Sequence, residues 1–410
     1  VTDKTAEREE IPVWARPDAF PAAPEGWGWV GEKGQPHRCG SLAELHAAIR
    51  NDYEGGVLLA WTPEHDRMVL PEEVPGSVDA VMAAREVWTR MELDEGNRKL
   101  RWYGGGMLIF TLFTFYQNWL LIARRARQAG TDFSWTDPAV LTLGSVQLGL
   151  ALLLFVIFAL IPWYSAYKRR KELRLWTEEK ISSTVPSIRF ETWLERQKAP
   201  VTYVMLGLIA IVYLIQLLPG DDLRAAALYH DLANERWRLL TAPFLHGNIV
   251  HLLMNGSAML YLGKRMEVFA RWPHVPMVFL VAAYIGGETS LQFLTDKPAV
   301  GASGGLMGWL GFLLVFETLH SRLVPRHARR RLVAGILLTA FIGLVGYRYI
   351  DNAAHAGGLI AGMAYAAIVF PKSASAIRPK ATITDRICGS LALLALIGCA
   401  VLAIIKLRGH

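Results

Sequence analysis

Apolar residues are distributed along this chain in two regimes. Up to about residue 103 they form short clusters broken by charges and prolines. There Ser41 reads as the N-cap of a short helix carrying Leu42, Leu45 and Ile49, and Val57–Trp61 reads as a strand. From Tyr103 onward long apolar stretches recur, near 105–123, 139–164, 200–218, 246–263, 274–292, 301–318, 332–348, 353–371 and 387–406. At about 1.5 Å of rise per residue such helices approach the roughly 30 Å of a bilayer's hydrocarbon. The pattern predicts an all-α polytopic membrane protein with a small soluble N-terminal domain.

Polar breaks divide it further. The expected organisation is a soluble cytosolic region over 1–103, two membrane helices over 104–167 and a cytosolic linker over 168–198. A six-helix core follows over 199–371, then a linker with a last membrane helix over 372–410. No internal repeat or low-complexity tract interrupts this order.

Composition agrees with a membrane protein: 52% of the 410 residues are hydrophobic and 19% charged. The formal charge of +7 comes from short basic clusters flanking apolar stretches, a topology signal and not a nucleic-acid-binding face. Arg98, Lys99 and Arg101 precede the first stretch, Lys168–Lys171 follow the second, and Lys264, Arg265 and Arg271 follow the fourth. Arg326 with Arg329–Arg331 follow the sixth, and Lys372, Arg378 and Lys380 follow the eighth. The N-terminus is therefore expected in the cytoplasm and the C-terminus outside, across a plasma membrane of the bacterial inner-membrane type. Arg124, Arg125 and Arg127 oppose this parity and are outvoted. The charged start Asp3–Glu10 and the lack of an apolar core behind it predict no cleavable leader. Cys39, Cys388 and Cys399 have no metal-ligand spacing, and no His-Glu-x-x-His motif occurs, so neither metal nor cofactor is expected.

Polar residues within apolar helices are costly, which makes His251, Asn255, Ser303 and His355 candidates for chemistry. Ser303, in Gly301-Ala302-Ser303-Gly304-Gly305, opens the sixth apolar helix, where free backbone N–H groups and the helix dipole favour a developing oxyanion. A serine hydroxyl needs a neighbouring base, and His355, in Ala354-His355-Ala356-Gly357-Gly358, opens the eighth helix on the same expected side. Gly304 with Gly308, and Gly358 with Gly362, supply the small-xxx-small spacing that lets two helices approach closely. His251 and Asn255, four residues apart, share a helix face and can aim donors at one spot.

Trp237-Arg238, Thr241, His246, His251, Asn255, Gly301-Ala302-Ser303-Gly304 and Ala354-His355-Ala356-Gly357-Gly358, in this order, resemble the signature of the rhomboid family over about 199–371. The resemblance implies a six-helix rhomboid core, here with two extra N-terminal helices and one extra C-terminal helix. It implies an intramembrane serine endopeptidase that cuts single-span or polytopic membrane protein substrates near the outer face with a Ser-His dyad. It further implies Ser303 as nucleophile, His355 as base, and His251 with Asn255 as the oxyanion-stabilising pair. Trp237-Arg238 matches the family's outer loop against the membrane, and Glu267, after Gly263, a structural carboxylate. Met307 stands where the family often has an aromatic residue stacked on the histidine. Glu288 matches no family feature.

Blander readings stand beside these. Asp351, four residues before His355, is read first as a helix cap and second as a triad member. His246 braces a loop, Glu288 lines a water path or ends a helix, and His274, His320 and His327 are expected in solvent. The rival for the whole chain is a non-catalytic rhomboid-like binder of transmembrane segments. A transporter using Glu288 and the histidines is disfavoured by the lack of an inverted repeat.

Overall fold

The computed structural model describes residues 11–31, 33–51, 56–218, 223–293, 298–347 and 350–409. The charged start Asp3–Glu10 lies outside them, as does the end of the stretch expected over 332–348. Two compact units result, one of residues 20–185 and 341–350, the other of residues 1–19, 186–340 and 351–410.

The first unit opens with an antiparallel sheet of β1 (Trp27–Val30), β2 (Pro36–Cys39) and β3 (Leu59–Trp61), in the order β2-β1-β3. The helix foreseen after Ser41 is α1 (Leu42–Arg50). Ser41 Oγ accepts from Glu44 N–H at 3.2 Å and Glu44 accepts from Gly40 N–H at 2.6 Å, so the first turn is capped from both directions. Its Leu45 and Ile49 face Val57, Ala60, Val74 and Val81 in a small core.

The next helix departs from expectation. The stretch near 105–123 is the distal part of α2 (Val78–Ala129), one helix of 52 residues that ends on Gly130 with φ 66°. Residues 78–103 are rich in Ala, Glu, Arg, Met and Leu, which favour helix wherever they sit, so the helix does not stop where the polarity changes. The stretch near 139–164 is broken into α3 (Thr136–Leu143), α4 (Val146–Phe155), a π turn (Val156–Leu160) and α5 (Ile161–Leu173). The break falls at Gly144-Ser145, and Ser145 caps α4 by accepting from Leu148 N–H. Trp163 donates to Asn97 at 2.9 Å, Arg169 to Glu92 at 3.0 Å and Asn118 to Thr142 at 3.0 Å, tying this group to α2.

The second unit carries the remaining apolar helices. Its part of the 168–198 segment is helical, belonging to α6 (Glu178–Glu195), and a 62° bend separates α6 from α7 (Pro200–Gln216). A one-turn α8 (Arg238–Thr241) precedes α9 (Ile249–Phe269), α10 (His274–Phe293), α11 (Ser303–Leu319), α12 (Arg326–Val345, of which residues 341–345 group with the first unit), α13 (Asn352–Val369) and α14 (Ile383–Arg408). Glu267 accepts from Val201 N–H, Thr202 N–H and Thr202 Oγ at 3.1, 3.0 and 2.9 Å, filling donors that the start of α7 leaves free.

Four helical stretches among the described residues are long and apolar enough to span a bilayer: Val78–Ala129, Ala151–Leu173, Asn352–Val369 and Ile383–Arg408. The bent α6–α7 pair passes together, and α11 is a shorter apolar helix. The protein is a polytopic all-α membrane protein with a small strand-containing N-terminal region. Helices α9 and α12 fall short by composition because they carry polar and charged side chains, several of which the fold buries. Arg265, which the sequence places among loop cations, lies inside α9 and is fully buried against Glu317 of α11, both side chains being 0% exposed. His274 and His320, expected in solvent, are also buried, His274 with its Nδ1 3.0 Å from the Tyr365 hydroxyl.

Candidate active site

Helices α10, α11 and α13 meet through glycines. A Cβ on Gly358 would overlap the carbonyl oxygen of Gly304, and one on Gly362 that of Gly308. On the third helix, a Cβ on Gly286 would lie 2.7 Å from the carbonyl oxygen of Ala354. No side chain larger than hydrogen fits at these crossings, so the α11 and α13 backbones touch.

That contact brings the two expected reactive segments together. Ser303, the first residue of α11, and Ala354, immediately before His355, line one pocket of about 40 Å³, room for a few water molecules. Leu239, Pro243, Gly287, Ser290 and Asp351 close its other sides. The chain before Ser303 is pinned by backbone hydrogen bonds: Gly301 N–H to Ala242 O at 3.0 Å, and Leu228 and Ala299 to each other at 3.2 and 2.8 Å.

His251 and Asn255 converge on Gly301. A Cβ at Gly301 would lie 2.8 Å from His251 Nε2 and 3.3 Å from Asn255 Nδ2, and φ of 116° independently excludes an ordinary side chain. Their donors thus border the backbone two residues before Ser303. Asn248 caps α9 by accepting from His251 N–H at 2.9 Å.

His246 is wholly buried, its Nε2 3.0 Å from Asn255 Nδ2 and its ring edge-on to His251 at 5.1 Å. Gln216, at the end of α7, clasps its backbone: the amide donates to His246 O at 2.7 Å and accepts from His246 N–H at 3.1 Å. Sequence reading missed Gln216, although one polar residue closing an apolar helix was the available signal.

Asp351 is occupied as a cap. Its carboxylate accepts from Ala354 N–H at 2.9 Å and from the Ser290 hydroxyl of α10. His355 Nδ1 is buried without a hydrogen-bond partner among the described residues. Asp351 thus makes no hydrogen bond to His355 Nδ1. Met307 is buried within α11.

Trp237 and Arg238 open α8. Arg238 is buried and donates to Arg224 O and Ala227 O at 2.7 and 2.8 Å, while Thr241 donates to Ala226 O at 2.8 Å. The Trp237 ring lies under two cations, Arg238 at 4.5 Å and Lys406 of α14 at 4.7 Å. Glu288 pairs with Arg236 of the same loop, so it fastens that loop to α10.

Comparison with known proteins agrees with this architecture. Residues 233–372 match the family model described as Rhomboid domain. The chain is 35% identical over 132 residues to RHOMBOID-like protein 6, mitochondrial, of Arabidopsis thaliana, covering 32% of this chain and 42% of that protein. It is 29% identical over 185 residues to Rhomboid protease GluP of Bacillus subtilis, covering 43% and 36%. It is also 29% identical over 135 residues to Inactive rhomboid protein 1 of Papio anubis, covering 32% and 16%. Each matched stretch is less than half of the relative's own length. The likeness lies in the helices that build the glycine contact and the pocket. Residues 233–372 of the chain are thus similar to a rhomboid domain.

Proposed function

We propose that this protein is an intramembrane serine endopeptidase whose nucleophile is Ser303 and whose general base is His355. The observation that carries the reading is the glycine-mediated contact of α11 with α13, with Ser303 and the residue before His355 on one small pocket. The name of the Bacillus relative, a rhomboid protease, points the same way.

Ser303 Oγ attacks the scissile carbonyl while His355 takes its proton. The tetrahedral oxyanion is met by His251, Asn255 and the N–H groups that open α11. The leaving amine recovers the proton from His355, and a water activated by the same imidazole releases the acyl group. With Asp351 committed to its cap, the site works as a dyad. Replacing Asn255 by Ala is expected to lower kcat by about 10²- to 10³-fold with little change in KM, the loss typical of one oxyanion donor. Steady-state kinetics on a reconstituted substrate reads this directly.

The substrates are membrane-spanning chains that unwind near the outer face, because a stable helix withholds its carbonyls. The segments over 1–103, 104–167, 168–198, 199–371 and 372–410 act as cytosolic domain, accessory helices, linker, catalytic core and final helix. The N-terminus lies in the cytoplasm and the C-terminus outside a bacterial-type inner membrane. Glu267 serves as a brace and His246 as a loop support. The test is cleavage of a tagged single-span protein in vesicles. Wild type is expected to cut it and Ser303→Ala to leave it whole. Retention of several such proteins without cleavage would favour a non-catalytic binder of transmembrane segments; the Papio anubis relative is likewise named inactive.

A further inference from the structure

Residues 11–19 group with the helical core and not with the strands that follow them. Trp14 is 8% exposed, and its indole donates at 2.8 Å to the carbonyl of Leu323, in the turn between α11 and α12. Its ring stands edge-on to Phe190 of α6, centroids 5.7 Å apart. Arg189, beside Phe190, donates to the carbonyl of Trp14 at 3.1 Å and to that of Arg16 at 2.9 Å. The segment is thus held by one aromatic side chain and by its own backbone, as a bound peptide is held.

The seat is also the root of α12. Leu323 and Val324 are each 1% exposed. The first turns of α12 are tied to α6 by His327 with Ser187 at 2.9 Å and Arg331 with Glu191 at 2.6 Å. Beyond that root α12 is open on its apolar face, Val333 being 44% and Leu337 65% exposed. Its fastening within this unit is concentrated where Trp14 docks.

We propose that Pro12–Arg16 is a detachable latch, and that Arg189, Phe190 and the Leu323 carbonyl form a peptide-binding seat for it. Filling the seat in cis holds the root of α12 still, and emptying it loosens that helix selectively. The segment continues at Phe20 into the strand-containing region, so events there have a covalent route to the seat.

The test is amide hydrogen exchange on the full chain in nanodiscs, comparing wild type, Trp14→Ala and Arg189→Met. Both variants are expected to exchange at least tenfold faster over 320–335, with α13 unchanged. A synthetic peptide of residues 11–19 is expected to restore protection in Trp14→Ala and to leave wild type, whose seat is filled, unaffected. Trp14→Phe, which keeps a ring and loses the donor, is expected to fall between. Unchanged exchange over 320–335 in both variants would overturn the proposal. So would equal acceleration of α13, which marks a general buttress, or a peptide that restores nothing.

Discussion

Ser303→Ala and His355→Ala are each expected to reduce peptide-bond cleavage by about 10⁴-fold or more, and the double substitution to cost no more than either single one. In the proposed mechanism the two groups act as one unit: without the imidazole the hydroxyl is a poor nucleophile, and without the hydroxyl the imidazole has nothing to activate. Residual turnover comes from the oxyanion donors and from substrate binding, which neither change touches. Both replacements are small, and neither disturbs the glycine crossings at Gly358 and Gly362 that fix the approach of α11 and α13. Thermal unfolding of all three variants should therefore stay close to wild type. Losses that multiply in the double variant would mean that the two residues act in separate steps.

Arg265→Met is expected to destabilise the fold by about 3–5 kcal/mol, whereas Arg265→Met combined with Glu317→Leu is expected to recover most of that loss. Arg265 donates to Glu317 from Nε at 3.1 Å and from Nη2 at 2.6 Å, and to the Tyr261 hydroxyl at 3.2 Å, with both charged side chains out of solvent. Removing one partner strands a carboxylate, one oxygen of which already has no partner among the described residues. Removing both leaves an apolar contact between α9 and α11 of similar volume. Unfolding midpoints in one detergent measure the cycle. Equal midpoints for the single and double variants would show that the pair carries no mutual dependence.

What could be read from sequence follows the physics of apolar helices. Ser303, His355, His251 and Asn255 stood out because a polar group in such a helix needs a reason. Glu317 gave the same signal and went unread, because its partner Arg265 looks like a loop cation until α9 is known to run on to Phe269. Gln216 was hidden for a related reason: its partner is the backbone of a residue thirty positions away, and no spacing encodes that. Asp351 reads as a cap from its place before α13, and the structure has it capping Ala354, while Ser290 on α10 became visible only once the helices were assembled. The unbroken α2 misled for the opposite cause, since helix propensity ignores the change from water to lipid that hydropathy detects. The docking of Trp14 on Leu323 spans most of the chain, and nothing local foretells it.

Whether Ser303 is a nucleophile made reactive by His355 can be tested without any substrate. Purified wild type, His355→Ala and Ser303→Ala proteins in nanodiscs would be treated with a fluorophosphonate, and the adduct located by mass spectrometry of the digested chain. A covalent adduct is expected on Ser303 in wild type and none at that position in His355→Ala. Labelling of Ser303 at the same rate with and without the imidazole, or an unlabelled Ser303 in a protein that still cleaves membrane chains, would contradict the proposed mechanism.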